Sequence, residues 1–322
     1  MSFIHRHSWL TPYLLLAPGI AFLVLFFVVP LYYLGYTSLQ EGTVQVGYTF
    51  NWAWDNYTSA FSTYREQFFR SLQYAGIATI LALLISYPLT YWIAFRGGRY
   101  KSTLLFLVLL PFFVSFVIRT ASWKFILNDQ GIVLGPLKEI GLLPEDFHVL
   151  ATTTAVLGGL TYDALPFMAL PLYVALENID RSYVEAAADL YASPVERFLR
   201  VILPLYVALE RVDPSLVEAA HDLFAGRASA FRKVVFPLSL PGVFAGVLIT
   251  FVPVASDFVN SSILGGTSTT MIGNVIQTVY LSNNNYPLAS AMSFLLMAAL
   301  LIGIFVYARA LGTEQVMEVA QG

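Results

Sequence analysis

Residues 12–37 read PYLLLAPGIAFLVLFFVVPLYYLGYT and contain no charged side chain. A helix that spans the hydrocarbon core of a bilayer needs about 20 consecutive apolar residues, so this stretch is long enough to cross once. The rest of the chain has the same character, because 57% of its 322 residues are hydrophobic and only 11% are charged. Soluble domains carry roughly 25% charged residues. The sequence therefore predicts an all-α membrane protein.

Five further apolar stretches follow the first, which gives about six predicted transmembrane helices. Helix 1 is predicted over 12–37, and helices 2–6 are predicted over 71–95, 101–123, 150–176, 239–259 and 287–309. The first stretch is too long for a cleavable signal and lacks a small-residue cleavage site, so we expect it to be retained. The prediction is a single transmembrane domain over 1–322, with core helices 2–6 within 71–309.

The basic residues predict the orientation of these helices, since cytoplasmic loops of membrane proteins carry an excess of Lys and Arg. With the N-terminus inside, the segments on the cytoplasmic side hold 12 of the 17 basic residues. We therefore expect a multi-pass protein with both termini in the cytoplasm. The segment 178–237, between helices 4 and 5, is then predicted to lie on the cytoplasmic face.

This cytoplasmic segment belongs to a stretch that occurs twice, at a shift of 33 residues. Pro171 begins PLYVALENIDRSYVEAAADLYASPVERFLRVIL, and Pro204 begins PLYVALERVDPSLVEAAHDLFAGRASAFRKVVF. Each copy contains a capping box, at 182–185 and 215–218, that predicts the start of a short amphipathic helix. The pattern favours a docking element for a cytoplasmic partner. The alternative is a pair of interfacial helices that lie on anionic lipid.

Both copies contain a Glu-Ala-Ala turn, and an acidic residue follows the Glu by four positions. These residues are Glu185, Ala186, Ala187 and Asp189 in the first copy, and Glu218, Ala219, Ala220 and Asp222 in the second. The small alanines permit a close approach, and the Glu supplies an oriented charge. The Glu-Ala-Ala turn with a Leu-Pro or Phe-Pro about eighteen residues later resembles the EAA coupling loop of type I ABC-importer permeases.

The resemblance extends over nearly the whole chain and is closest to the spermidine/putrescine branch, the PotB-like permeases. The similar stretches are APGIAFLVLFFVVPLYYLGYTSL at 17–39, ALPFMALPLYVALE at 164–177, LSLPGVFAG at 238–246 and SDFVNSSILGGTSTTMIGNVIQ at 256–277. Family members have one coupling loop, whereas this chain has two. They also usually have Gly at the seventh position of the loop, where this chain has Tyr191 and Phe224.

The resemblance implies a permease subunit in the bacterial inner membrane that imports polyamines by ATP-driven alternating access. It implies as partners two ABC ATPase subunits, a second homologous permease and an extracytoplasmic solute-binding protein, besides membrane lipid. The coupling loop would seat in a groove of the ATPase, which would bind ATP and Mg. A sugar, iron or phosphonate is the alternative cargo, and a secondary transporter or membrane scaffold without an ATPase is the alternative class.

Two acidic residues lie within predicted spans, where ionisable side chains are costly and usually functional. Asp163 in helix 4 and Asp257 in helix 5 are candidates to line a cation pathway, and aromatic neighbours would add cation–π contacts. The predicted pathway residues are Asp163, Asp257, Asn260, Tyr162 and Trp123, with Tyr173 as a further aromatic candidate. The structural alternatives are that Asp163 satisfies a helix broken at Pro166 and that Asp257 lies at the outer interface as a helix cap. Arg119 is expected to pair with an acidic group.

The motifs that the sequence lacks argue against an enzyme. There is no G-x-x-x-x-G-K-[ST] phosphate loop, so we expect no ATP hydrolysis by this chain itself. No nucleophile motif occurs, there is no cysteine, and the four histidines are scattered without an i, i+4 pair. We therefore expect no catalytic residue, no metal site and no nucleic-acid partner.

Overall fold

The computed structural model describes residues 11–177 and 236–310. The predicted coupling segment 178–237 lies outside these described residues, apart from its last two positions. The same holds for all eight predicted coupling residues, namely Glu185, Ala186, Ala187, Asp189, Glu218, Ala219, Ala220 and Asp222.

The described chain is mostly helical. The helices are α1 (Thr11–Leu23), α2 (Val29–Ser38), α3 (Asp55–Arg96), α4 (Lys101–Leu109), α5 (Phe116–Ile126), α6 (Leu134–Glu139), α7 (Thr153–Glu177), α8 (Phe236–Ala255), α9 (Val259–Leu264), α10 (Ile272–Leu281) and α11 (Tyr286–Ala310). A π-helical turn, Val24–Val28, joins α1 to α2. Short 3₁₀ turns lie at Gly98–Tyr100, Leu110–Phe113 and Thr267–Thr269. The strands β1 (Gln40–Thr43) and β2 (Gly47–Phe50) form an antiparallel hairpin.

The predicted all-α membrane fold is confirmed. Within the described ranges, four helices are long and apolar enough to cross a bilayer, at Leu16–Ser38, Asp55–Ala94, Thr153–Val174 and Tyr286–Val306. The pair Gly98–Phe113 and Phe116–Ile126 is a fifth candidate span. In α8, Gly246–Ala255 is a shorter apolar helix. These elements correspond in order to the six predicted helices.

The prediction of one continuous helix over 101–123 is wrong. The chain bends by 93° between Gly98–Phe113 and Phe116–Ile126. Val114 and Ser115 have extended ψ angles of 139° and 134°, so the helical hydrogen bonds stop there. Pro111, which lies just before the bend, has no N–H to donate to the preceding turn.

The prediction for helix 5 was also too long at its C-terminal end. Helix α8 ends at Ala255, and the short helix α9 begins at Val259. Asp257 lies between them, and its Oδ1 accepts a hydrogen bond of 2.9 Å from the backbone N–H of Asn260. This satisfies an N–H of the first turn of α9, which would otherwise lack a helical partner.

The described residues form two compact units, and the first contains parts of Met1–Phe68 together with Val275–Ala299. In this unit, the Asn56 side chain donates hydrogen bonds to the backbone oxygens of Ser38 at 3.0 Å and Gln40 at 2.9 Å. These bonds hold the start of α3 against the end of α2 and the hairpin. The Tyr48 hydroxyl of the hairpin donates to the backbone oxygen of Asn284.

The second unit contains parts of Phe69–Asn274 together with Leu300–Gly322. Here α7 packs against α8 and α9, and Gly246 of α8 lies close to the Met168 sulfur of α7. Gly246 therefore serves close helix packing, as its small-xxx-small pattern with Gly242 predicts. The buried Ser71 hydroxyl accepts a hydrogen bond of 2.8 Å from the N–H of Ile272, the first residue of α10.

Candidate functional site

A cavity of about 330 Å³ lies within the second unit. Its walls come from the bent segment that contains α5 and from α7, α8 and α9. Most of its lining is apolar or aromatic, as is usual for small-molecule sites. Its polar lining residues are Arg119, Asp163, Thr250, Asp257 and Asn260.

An ion pair between α5 and α7 forms the centre of this polar lining. The Nε and Nη2 atoms of Arg119 each lie 2.8 Å from Oδ1 of Asp163. Both side chains are only 11% exposed, so water screens this pair weakly. The third arm of the guanidinium, Nη1, donates to the backbone oxygen of Pro111 at 2.9 Å. Arg119 thus links α7 to the turn that precedes the bend.

Asn260 connects the two carboxylates of the cavity. Its side-chain Nδ2 donates to Oδ2 of Asp163 at 2.9 Å and to Oδ2 of Asp257 at 3.3 Å. The residue is fully buried, and both carboxylates need donors, so the amide nitrogen is the group that belongs between them. A single buried amide therefore holds two acidic side chains of different elements close together.

The charges in this cluster do not balance. It contains one guanidinium and two carboxylates, and among the described residues no Lys or Arg nitrogen lies within 4.0 Å of Asp257. A buried carboxylate without a positive partner is costly, so Asp257 favours either a proton or an additional cation. The described residues contain no group of three His, Cys, Asp or Glu side chains that could hold a metal ion.

The position of Asp163 along α7 can be compared with the thickness of a bilayer. It is ten residues after the first residue of the helix, Thr153. At a rise of about 1.5 Å per residue this is roughly 15 Å, or half of a hydrocarbon core about 30 Å thick. Asp163 therefore lies about halfway along the candidate span Thr153–Val174.

Aromatic rings surround the guanidinium. The Cζ atom of Arg119 lies 5.4 Å from the ring centroid of Phe112 and 5.7 Å from those of Phe116 and Tyr162. These distances are within the range of cation–π attraction. Trp123 packs edge-on against Tyr162, with 5.3 Å between the ring centroids.

Some of the predicted pathway residues line the cavity and others do not. Asp163, Asp257 and Asn260 line the cavity, whereas Tyr162, Trp123 and Tyr173 do not. Tyr162 contacts Arg119, and Trp123 lies behind Tyr162. The expectation that Arg119 pairs with an acidic group is confirmed, because its partner is Asp163.

Sequence reasoning missed two contributors to this site. The first is the Pro111 carbonyl, which a bend in predicted helix 3 makes available. The proline in the middle of the apolar run was only a partial signal for it, because a proline permits a break without requiring one. The second is Gly159 of α7, where a Cβ atom would lie 2.5 Å from both Asn260 Oδ1 and Leu264 Cδ1. Only the absence of a side chain lets α9 approach α7 at this point.

Comparison with known proteins defines the class of this fold. A chain in the crystal structure of a bacterial alginate ABC transporter, in complex with an alginate pentasaccharide-bound periplasmic protein, matches with a TM-score of 0.52. The match covers 97% of this chain and 96% of that one, at 19% sequence identity. The family described as "Binding-protein-dependent transport system inner membrane component" matches residues 205–311. The fold is thus that of the membrane subunits of ABC transporters.

Sequence relatives identify the family within this class. The spermidine/putrescine transport system permease protein PotB of Haemophilus influenzae is 36% identical over 264 residues, which cover 82% of this chain and 81% of the relative. PotB of Escherichia coli is 31% identical over 257 residues, which cover 80% and 82%. The chain belongs to the PotB family of ABC-importer permeases.

Proposed function

We propose that this protein is the membrane-spanning permease subunit of an ABC importer and that its cargo is a polyamine. Family membership supports the permease role. The relatives, which are permeases of spermidine/putrescine transport systems, support the cargo. The observation that carries the cargo proposal for this chain is the cavity whose lining contains two carboxylates, Asp163 and Asp257, and one positive side chain, Arg119.

The chemistry of the cavity suits an alkylammonium cation. An ammonium group has three N–H donors and no acceptor, and carboxylate oxygens accept such bonds strongly. The apolar and aromatic walls suit the methylene groups between the amines. For ATP to drive transport, ATP binding and closure of the partner ATPase would have to favour one of two conformational states of the importer. These two states would have to differ in their affinity for the cargo.

The partners and orientation belong to the same proposal. Two ABC ATPase subunits, which bind ATP and Mg, would act from the cytoplasm, where both termini of this chain would also lie. A second homologous permease would complete the pathway, and an extracytoplasmic solute-binding protein would deliver the cargo. This chain would be a non-catalytic subunit in the bacterial inner membrane.

Uptake of labelled spermidine by the reconstituted importer tests the role of the two carboxylates. We expect Asp257→Asn and Asp163→Asn each to raise the KM about tenfold or more, because a hydrogen bond to a charged group contributes about 1.5–3 kcal/mol. Asp146→Asn is the matched control, since Asp146 is exposed and does not line the cavity. Unchanged uptake in both cavity variants would remove the acidic site from the proposal.

The duplicated segment supplies the proposed coupling site, through Glu185, Ala186, Ala187 and Asp189 or through Glu218, Ala219, Ala220 and Asp222. The family match begins at residue 205, which favours the second copy as the docking element. We expect charge reversal at Glu218 to uncouple ATP hydrolysis from uptake and the same change at Glu185 to leave coupling intact. Equal loss of coupling in both variants would show that the copies act together.

Co-purification separates the importer from the alternative classes. Extraction in mild detergent should bring down a protein with a P-loop ATPase sequence together with this chain. A secondary transporter or a scaffold would come down without one and would show no ATP-dependent uptake. If the importer forms but moves a sugar, iron or a phosphonate instead of spermidine, the permease role stands and the cargo proposal falls.

A further inference from the structure

We propose that Arg119 is a tethered competitor of the cargo: its guanidinium occupies an amine-binding position on Asp163, and an ammonium group of the cargo replaces it there. This inference rests on the proposed function, because it requires an amine cargo. It adds a residue that sets specificity and a consequence for the bent helix.

The first support is the chemistry around the guanidinium. Arg119 makes two contacts of 2.8 Å to Asp163 and has three aromatic rings within 5.7 Å of its Cζ atom. A carboxylate combined with several aromatic faces is the environment that proteins use to bind ammonium ligands. The position that Arg119 occupies is therefore suitable for an alkylammonium group of the cargo.

The second support is the difference between the two carboxylates. Asp163 has a positive partner, whereas no Lys or Arg nitrogen of the described residues lies within 4.0 Å of Asp257. One amine can therefore bind at Asp257 without displacing anything. A second amine on the same molecule must displace Arg119 to reach Asp163. Both carboxylates lie within 3.3 Å of the same Asn260 nitrogen, so a short-chain diamine reaches both.

Specificity follows from this arrangement. A monoamine binds at Asp257 and leaves Arg119 on Asp163, so it gains one ionic contact. A diamine gains two, because its second ammonium group replaces the guanidinium. The second contact also breaks the pair between Arg119 and Asp163. The tethered cation thus competes with the second ammonium group of a diamine, leaves a monoamine at Asp257 unopposed, and reduces the advantage of the diamine.

Displacement of Arg119 from Asp163 would also affect the bend that precedes α5. Arg119 Nη1 donates to the Pro111 oxygen at 2.9 Å, across the break between Leu110–Phe113 and α5. When the guanidinium leaves Asp163, the geometry that holds this hydrogen bond is lost as well. Occupation by a diamine therefore releases a link across the bend, whereas occupation by a monoamine does not.

The first test measures binding of butane-1,4-diamine and of butylamine to the importer in proteoliposomes. We expect the wild type to prefer the diamine. Arg119→Gln should bind the diamine about tenfold or more tightly than the wild type, and should tighten butylamine binding by less, because the cation that competes with the second ammonium group for Asp163 is removed. Lys138→Gln is the matched control, since it removes a cation that pairs with Asp129 and does not line the cavity.

A double-mutant cycle shows whether Arg119 acts through Asp163. In the Asp163→Asn background, Arg119→Gln should no longer tighten diamine binding. If Arg119→Gln leaves diamine binding unchanged or weakens it while Asp257→Asn still weakens diamine binding, Arg119 is a structural residue and the inference is wrong. The proposed function survives that result. If the wild type binds neither amine, the proposed function fails and this inference fails with it.

A measurement on the wild-type protein covers the case in which Arg119→Gln does not fold. A dicarbonyl reagent specific for guanidines should label Arg119 faster when butane-1,4-diamine is present, because the side chain has left Asp163. Butylamine should leave the labelling rate at its basal value. A diamine that slows labelling or leaves its rate unchanged would overturn the exchange.

Discussion

Gly159→Ala is the substitution that tests the close approach of α7 and α9 beneath the cavity. A Cβ at this position would lie 2.5 Å from Asn260 Oδ1 and 2.5 Å from Leu264 Cδ1. Ordinary contacts of a Cβ begin at 3.4 Å, so both neighbours would be about 0.9 Å too close. Asn260 is fully buried and holds both carboxylates, so it cannot move without affecting them.

The expected cost has two parts. Extra volume in a well-packed interior costs about 1–3 kcal/mol. If Asn260 moves away from Asp163, a hydrogen bond to a charged group is also weakened, which is worth about 1.5–3 kcal/mol. We therefore expect Gly159→Ala to lower the free energy of unfolding by more than about 2 kcal/mol and to reduce spermidine uptake.

Gly158→Ala is the matched control for this substitution. Gly158 is the preceding residue of the same helix, is exposed, and has no atom within 4 Å of an added Cβ. Alanine is a better helix former than glycine by about 1 kcal/mol, so this variant should be as stable as the wild type or more so.

The assay is the thermal unfolding midpoint of the purified protein in one detergent, followed by uptake in proteoliposomes. The expected result is a lower midpoint for Gly159→Ala and no fall for Gly158→Ala. Equal midpoints and equal uptake in the two variants would show that α9 does not lie against Gly159. The cavity would then have no fixed wall on that side, and the geometry of Asn260 would be wrong.

Three further substitutions test the second unit. Ser71→Ala should lower the unfolding free energy by about 1–2 kcal/mol, because the buried N–H of Ile272 loses its acceptor; an unchanged midpoint would contradict this bond. Lys101→Glu should cost about 1 kcal/mol or less, since Glu177 is 38% exposed, and the exchange Lys101→Glu with Glu177→Lys should restore the midpoint. Asn260→Asp should abolish uptake and lower the midpoint, because an acceptor replaces the donor between two carboxylates; wild-type uptake would refute the shared amide.

The helices were predictable from the sequence because each depends on a local run of apolar residues, but the bend was not. Prolines also lie inside α3 at Pro88 and inside α7 at Pro166 and Pro171, and both helices continue through them. A proline therefore does not decide by itself whether a helix breaks. At Pro111 the carbonyl accepts a hydrogen bond from the backbone N–H of Val114 and a second one from the Arg119 side chain eight residues later, and this second contact cannot be seen in the local pattern.

The candidate site was predictable in its residue types and only partly in its geometry. Asp163 and Asp257 were predicted because acidic side chains are rare in apolar spans, and Asn260 was predicted because it follows Asp257 by three positions on the same face. Their mutual arrangement depends on pairs such as Asp163 with Asn260, which are 97 positions apart in the chain. Asp257 caps α9 and also lines the cavity, so the cap does not exclude a role in the pathway, which stays a prediction.

The first membrane helix has a consequence for the choice of lipid. No part of the most apolar window of Leu16–Ser38 is buried by other described residues. Its 23 residues extend roughly 35 Å at about 1.5 Å per residue, somewhat more than an average hydrocarbon core of about 30 Å. The helix must tilt, or the bilayer must thicken around it. Acyl-chain length will therefore set the angle of this segment more directly than that of the helices covered by protein.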